Sequence, residues 1–476
     1  MTLAGFTCKN PIELLTQDEK EAIHEKTLEI LKNTGVVFKW EPALKVLKGA
    51  GCNVDFESQR VKFPRDVVEG ALKSCPSSFR IKARDPKYDQ EFTMDRVYFV
   101  NQTGPAIYDF DTGVRRGATV KDLSEITRIC DALENIHGVN PPNLGVADRP
   151  PEVGFEWATA AMIRNSTKGA WTASGVFTVQ WLIEMAKAAG IQMLIATTCE
   201  SPLTYPADQC DAIMRIAKEG WGMFTDTGGE CGASSPATLA GTVLQVNTEL
   251  MAGLVLQQVV NPGVGFLRVT MATPMDMRNG YYAIGIEGYM LAAANASMSR
   301  FYNIPSASFD SLTGGKLPTD QQVGYEKAMS YLLLAQAGVG YIIGAGGIDD
   351  EACVSIEQIV IDNEMFGMIG RYLQGITVNE ETLAADIIQR VGPIPGNFLK
   401  EAHTKKWWRE EQYLPTLNYR LSYKEWIRDG SKDVAARARE RAQEILRIHE
   451  VPPLPEDADR EISRILEAAE KEKLDK

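Results

Sequence analysis

The sequence predicts an α/β chain built on one (β/α)8 TIM barrel, with an N-terminal helical extension and a C-terminal helical tail. Three observations carry this. Eight short apolar runs recur between residues 97 and 346, their starts separated by 39, 33, 24, 29, 42, 41 and 36 residues. Helical patterns fit between the runs, and strands alternating with helices at this spacing build a parallel sheet. No G-x-G-x-x-G sits between a strand and a helix, which counts against the alternative, an open doubly wound sheet.

The elements follow in order. Residues 1–96 read as helices and a small hairpin. Thr16 with Glu19 makes a capping box, and Asn33-Thr34-Gly35 supplies the stop. Pro42 and Pro64 stand at the first positions of two short helices. Phe79–Ala83 and Glu91–Met94 then alternate with period two, as a hairpin does, and Ile107–Arg115 looks like another, turning at Asp111-Thr112-Gly113. Residues 97–375 hold the barrel. Its strands are expected at Val97–Val100, Ile136–Asn140, Gly169–Ser174, Met193–Thr198, Gly222–Thr227, Val264–Met271, Pro305–Phe309 and Tyr341–Gly346. Helices are expected at Val120–Glu134, Phe155–Asn165, Thr178–Ala189, Ala207–Glu219, Pro236–Val260, Asn279–Phe301, Asp320–Gly338 and Ile356–Leu373. Residues 376–476 form a tail packing on the barrel, ending in a charged helix from Asp457.

Composition narrows the function. Fifty Lys and Arg against 63 Asp and Glu leave a net charge of −13, unsuited to wrapping nucleic acid, where phosphate contacts need a basic face. Eight scattered cysteines without a CxxC pair read as reduced thiols of a cytoplasmic chain, and the opening residues do not read as a signal peptide. Met329–Ile348 is twenty residues without a charge, but its five glycines and its change of pattern at Gly338–Gly340 read as helix, loop and buried strand rather than a membrane span.

In a barrel, chemistry collects at the carboxyl ends of the strands. The residues expected there include Asn101, Trp171, Thr198, Asp226, Phe309, Asp310 and the run Gly344-Ala345-Gly346-Gly347. Only four histidines exist (His24, His137, His403, His449), and none falls cleanly at a strand end. A histidine general base, a Ser-His-Asp triad and a histidine-rich metal site therefore have little support, and no resident metal is expected. Cys199, Cys231 and Cys353 match no zinc spacing. Gly344 and Gly346 are candidates to cradle a cofactor through backbone N–H groups, with a tight strand corner as the equal alternative. Aromatic rings beside carboxylates suit a cationic, methylated ligand. Trp171, Phe309 and Tyr98 are the ring candidates, with Asp226 and Thr198 beside them, although rings inside a barrel commonly serve as core.

Several segments together carry a family likeness: NQTGP at 101–105, DFDTGVRRGAT at 109–119, SLTGGKLPTDQQVGYEK at 311–327, IGAG at 343–346, EQIVIDNE at 357–364 and the stretch His403–Arg409. In that order they resemble the trimethylamine methyltransferase family over nearly the whole chain. The resemblance implies a (β/α)8 barrel that moves a methyl group from a methylated amine to the cobalt of a corrinoid on a separate small protein. It also implies no permanently bound cofactor. Founding archaeal members carry pyrrolysine, which this sequence lacks; the corresponding region is Asp310–Asp320, with Lys316 the nearest basic residue. Relatives without pyrrolysine act on quaternary amines, with glycine betaine as the type substrate and proline betaine or carnitine as variants. The expected donor here is such an amine, the expected partner a cognate corrinoid protein, and the expected assembly a homo-oligomer. Asn101 and Asp310 are expected to orient the substrate tail or rim the cobalt-facing opening. Two readings compete: a lyase or aldolase forming a Schiff base at Lys316, and a betaine-binding protein without catalysis.

Overall fold

The computed structural model describes residues 5–102, 104–109, 111–141, 146–283, 285–309 and 312–475. Eight parallel strands close into a barrel: β1 (Arg96–Asn101), β2 (Gly138–Val139), β3 (Gly169–Ala173), β4 (Met193–Cys199), β5 (Met223–Thr227), β6 (Phe266–Thr270), β7 (Ser306–Ser308) and β8 (Tyr341–Ala345). Closure is the pairing of β8 with β1, in register Tyr341 to Tyr98. All eight expected runs supply a strand. The helices between and after them are α1 (Val120–Ala132), α2 (Gly154–Asn165), α3 (Val179–Ala188), α4 (Ala207–Lys218), α5 (Leu239–Val260), α6 (Ile286–Tyr302), α7 (Gln321–Gln336) and α8 (Ile356–Gln374).

Boundaries moved in several places, most at the sixth helix. The sixth helix begins at Ile286 rather than Asn279, because Tyr281–Tyr282 pairs antiparallel with Met275–Asp276. The second strand shortens to two residues. Residues 329–348 form the end of α7, a turn and β8, as expected. Among the described residues one helix, α5, is long and apolar enough to cross a membrane, and 72% of its most apolar window is buried in the fold.

Side chains alternate along each strand. One set faces outward to the helices, as Phe99 does when it stacks on Phe366 of α8, with ring centroids 4.1 Å apart. The other set fills the barrel axis: Tyr98 and Val100, Trp171, Leu194 and Ala196, Phe224, Leu267 and Val269, Ala307 and Phe309, Tyr341 and Ile343. The hairpin Phe79–Ile81 with Gln90–Phe92 plugs the amino end. Phe79 lies over Gly222 and Gly265 just before β5 and β6, and Phe92 packs on Tyr98 and Tyr341.

The extensions wrap this core. A small sheet built from Val36–Phe38, Asn53–Asp55 and Arg60–Lys62, not foreseen from sequence, joins the N-terminal helices to Thr204–Tyr205. In the tail, Val434–Ile448 packs on α1 and α8, and Glu456–Leu474 on α2 and α3.

Candidate active site

The carboxyl end of the barrel is built from the axis-facing positions that continue the alternation. On β4, Thr198 follows Leu194 and Ala196 inward. On β5, Asp226 follows Phe224. Below them three rings form a floor. Trp171 stacks on Phe224 with centroids 5.4 Å apart and planes 13° apart, and Phe309 meets both edge-on, at 5.4 and 5.6 Å. Trp171 is fully buried, and its indole Nε1 has no hydrogen-bond partner.

Two carboxylates stand over this floor. Asp226 is 4% exposed, and its Oδ1 has no partner. Burial pushes its pKa up to about 7, against the lowering effect of the Thr198 hydroxyl beside it. Glu351 arrives from the loop after β8, and its enclosed Oε1 is likewise unpartnered. Burial first, then the nearby charges of Asp226 and Asp350, push Glu351 up to about 8, against the weaker pull of Lys327. Two enclosed acids without a compensating cation cannot both ionise cheaply.

The Glu351 loop is strained. Asp349, Asp350 and Glu351 all take the left-handed conformation, at φ +56, +55 and +66. Each such non-glycine residue costs about 1 kcal/mol or more. The segment is held in place by Asp349 N–H donating to Gly315 O (2.8 Å) and Asp350 N–H donating to Thr313 O (3.0 Å). Lys316 pairs with Asp349 and Asp350, and Arg115 with Asp349. Gly104 lies so close that a Cβ there would come within 2.3 Å of Glu351 O. Strain maintained this way, at the mouth of a barrel and delivering an unpartnered acid, makes this loop a candidate part of the site. Tyr282 and Glu230 lie nearby, and burial first, then Glu230 and Glu351, raise the Tyr282 phenol.

The sequence profile of the trimethylamine methyltransferase family matches residues 6–473. The chain belongs to the trimethylamine methyltransferase family. It is 32% identical over 475 residues to a glycine betaine methyltransferase of Desulfitobacterium hafniense, covering 96% of this chain and 97% of that one. It is 34% identical over 498 residues to a trimethylamine methyltransferase of Methanosarcina mazei, covering 98% of each. Among solved structures it aligns with the monomethylamine methyltransferase of Methanosarcina barkeri at 13% identity and a TM-score of 0.48, over 100% of this chain and 99% of that one.

In this trimethylamine methyltransferase family member, the anticipated site residues separate into two groups. Trp171, Phe309, Thr198 and Asp226 come together at the mouth. Asp310 lies outside the described residues. Asn101 is a correction. It has the outward parity of Phe99, and its amide is taken up by the backbone of Asn140, donating to Asn140 O (3.0 Å) and accepting from Asn140 N–H (2.8 Å). It fastens the end of the short β2 to β1. Tyr98 is a second correction. Its parity is right but its level is wrong: it lies at the plugged amino end, where its hydroxyl bonds the backbone of Glu91.

Gly344 and Gly346 are a third correction. The Gly346 N–H donates to Asp362 (2.7 Å), and Gly344 O accepts from Lys327 (2.7 Å). A Cβ on Gly346, at φ +83, would come within 2.3 Å of Ile359. The corner is a packing joint to α8, and the buried Lys327–Asp362 pair at 3.1 Å occupies its polar groups. Two residues of the site were not singled out from sequence. Phe224 follows from alternation once Asp226 is placed inward. Glu351 carried no periodic signal, because its direction depends on three left-handed residues.

Proposed function

We propose that this chain takes a methyl group from a quaternary ammonium donor and passes it to the cobalt of a corrinoid carried by a separate protein. The observation behind this reading is the enclosed Asp226 and Glu351 pair, with no ion pair to either acid among the described residues, above the Trp171, Phe224 and Phe309 floor. A permanent cation entering that space relieves the cost of ionising both acids. It also meets ring faces, each worth up to about 2 kcal/mol to a desolvated cation. A quaternary nitrogen leaves as a neutral amine, so the transfer needs neither a general acid nor a general base. That matches a mouth without histidine: His137 is buried beside β1, at the plugged end, and its pKa is held down to about 3 by burial and by Lys168.

The acceptor supplies a strongly nucleophilic metal. The tasks of this chain are to hold the ammonium, present one methyl outward along the barrel axis and exclude water. Carboxylates on two sides and rings below fix the nitrogen.

Glycine betaine is the leading donor, on the name of one relative, with proline betaine and carnitine as variants. One feature favours a second reading of the donor's tail. Lys316 and Arg115, the cations on the loop that carries Glu351, are already paired with Asp349 and Asp350, and Lys327, which pulls weakly on Glu351, is paired with Asp362. A carboxylate close to the ammonium would meet Asp226 and Glu351 without a free counter-cation. The electrostatics therefore favour a quaternary donor with an uncharged or distant tail. The Schiff-base reading loses support on the same grounds. Burial pulls the Lys316 ammonium down, but hydrogen bonds and charge from Asp349 and Asp350 outweigh it and keep its pKa above the ordinary value.

The test is incubation with cob(I)alamin and a panel of donors: glycine betaine, carnitine, choline, tetramethylammonium and trimethylamine. Formation of methylcobalamin from any quaternary donor supports the reaction, and its rank order reads the tail. Turnover of trimethylamine alone overturns the substrate class. Silence across the panel, with free and protein-bound corrinoid, overturns the function.

A further inference from the structure

We propose that residues 376–411 form an arm that lies on the α7–α8 face of a second copy of this chain. The segment leaves α8 at Gly375 and returns at Glu411. Arg371, in the last turn of α8, grips both feet. Its Nη1 donates to Gly375 O (2.9 Å), its Nε donates to Glu411 O (3.1 Å), and its Nη2 pairs with the Glu411 carboxylate (2.8 Å). Between these feet are three helices, Glu380–Leu383, Ala385–Val391 and Ala402–Glu411, that bury none of their residues.

The arm is nevertheless rich in apolar side chains. Ile376, Val378, Leu383, Ile388, Ile394 and Leu399 are 86, 71, 54, 56, 95 and 86% exposed. Together they offer on the order of 700 Å², close to the ~800 Å² each partner contributes to an interface of standard size. Helices of four to ten residues do not hold in water without packing. Among the described residues, nothing in the rest of the chain buries them.

A matching surface lies beside the arm's root. On α7, Tyr325, Met329 and Leu333 recur every fourth residue and are exposed; on α8, Met368 and Tyr372 are exposed next to them. This is an apolar stripe on two barrel helices that face away from the core. One chain thus carries an uncovered arm and an uncovered face, and a second copy carries the complement of both. Reciprocal docking closes a two-fold pair. The methyl-accepting protein is the wrong occupant. α8 runs from the carboxyl end of the barrel to the amino end, so the feet of the arm lie opposite the mouth that an acceptor must reach.

Sedimentation velocity on the full chain tests this. The wild type is expected at twice the 52.5 kDa chain mass, or a multiple of it. The arm variant Ile394→Asp/Leu399→Asp and the face variant Met329→Glu/Leu333→Glu are each expected to sediment as monomers with unchanged circular dichroism. Mixing the two should restore a dimer, since one intact arm then meets one intact face. A monomeric wild type overturns the proposal. So does a face variant that keeps the wild-type mass. Should a variant misfold, hydrogen exchange on the wild type decides. Amides of 376–411 are expected to lose protection as dilution splits the assembly, and protection independent of concentration overturns the pairing.

Discussion

The two ends of the barrel bury similar chemistry and treat it in opposite ways. At the amino end the Lys168 ammonium is sealed from water, yet it donates to Cys130 O, Leu133 O and Ile136 O at 2.6–2.7 Å. Burial lowers it only to about 8, with Asp131 opposing the fall. His137 accepts from Phe99 N–H, and Tyr98 bonds Glu91. At the carboxyl end, Asp226, Glu351 and the Trp171 indole are enclosed with atoms left unpartnered. The amino end also leaves neutral atoms unpartnered, Gln90 Oε1 and the Tyr341 hydroxyl among them, but the carboxyl end leaves two acids so, and it is the buried acids that mark a place kept for a ligand. Five tests can break or sharpen that contrast.

The largest effect should come from Asp226→Asn. Near a protein surface, a unit charge about 4 Å from a cation contributes about 4 kcal/mol, or roughly a thousandfold in affinity. Calorimetry with tetramethylammonium should show that loss. The empty protein should become more stable, because a carboxyl carried from 3.8 to about 7 costs on the order of 4 kcal/mol when ionised. Unchanged affinity would detach the acid from the ligand. Lys168→Met should do the reverse. It orphans three buried carbonyls and is expected to cost about 4 kcal/mol of unfolding free energy in denaturant titration. Cation affinity in the folded fraction should stay the same.

Next comes the floor. Trp171→Ala and Phe309→Ala should each weaken cation binding about thirtyfold, the equivalent of about 2 kcal/mol per ring. Melting curves must first show that both variants fold. Trp171 already has one face covered by Phe224, so the two variants need not be equal. If both bind as the wild type does, the rings are core and the acids alone hold the cation.

A smaller effect is pH. The folded pKa values of Asp226 and Glu351 are raised, to about 7 and about 8. The fold therefore holds these protons more tightly than the unfolded chain does. Their stabilising contribution is full below about pH 4 and is lost as pH rises through about 7 to 8. Binding of a permanent cation should run the other way. Affinity should climb about tenfold per pH unit between 6 and 7 and level off above 8. In Asp226→Asn that rise should shrink to the Glu351 step. Asp350 lies nearby with its carboxyl raised by burial, so a rise that survives in the double variant with Glu351→Gln would belong to it.

Most of the architecture was legible because strand and helix periodicity survive in a buried parallel barrel. Every one of the eight runs became a strand. Much of the site was legible too, since Trp171, Asp226 and Phe309 stand where strand ends and inward parity coincide. What failed has physical reasons. Asn101 sits at a strand end but on the outward parity, where its amide meets the Asn140 backbone. Gly344 and Gly346 looked like a cradle, because the buried Lys327–Asp362 pair that occupies their backbone is assembled from distant segments. Glu351 was hidden because three consecutive left-handed residues set its direction, and such backbone is not coded by periodicity.

The finest test concerns the ring that changed ends. Tyr98 was expected to touch the ligand, and in the structure it braces the plug. Its hydroxyl lies 3.0 Å from both the N–H and the carbonyl of Glu91, and its ring packs on Phe92 and Tyr341. Tyr98→Phe keeps the ring and removes only the hydroxyl. A buried hydrogen bond of this kind is worth about 1 kcal/mol net. The variant should therefore lose about that much stability in urea titration, while tetramethylammonium affinity stays at the wild-type value. Strand β1 separates the two readings with one oxygen atom. Weaker binding with unchanged stability would return Tyr98 to the ligand and move the site down the barrel. Weaker stability with unchanged binding fixes the hydroxyl as part of the plug, and it leaves the mouth, with its unpartnered acids and three rings, as the place along the axis that a cation would enter.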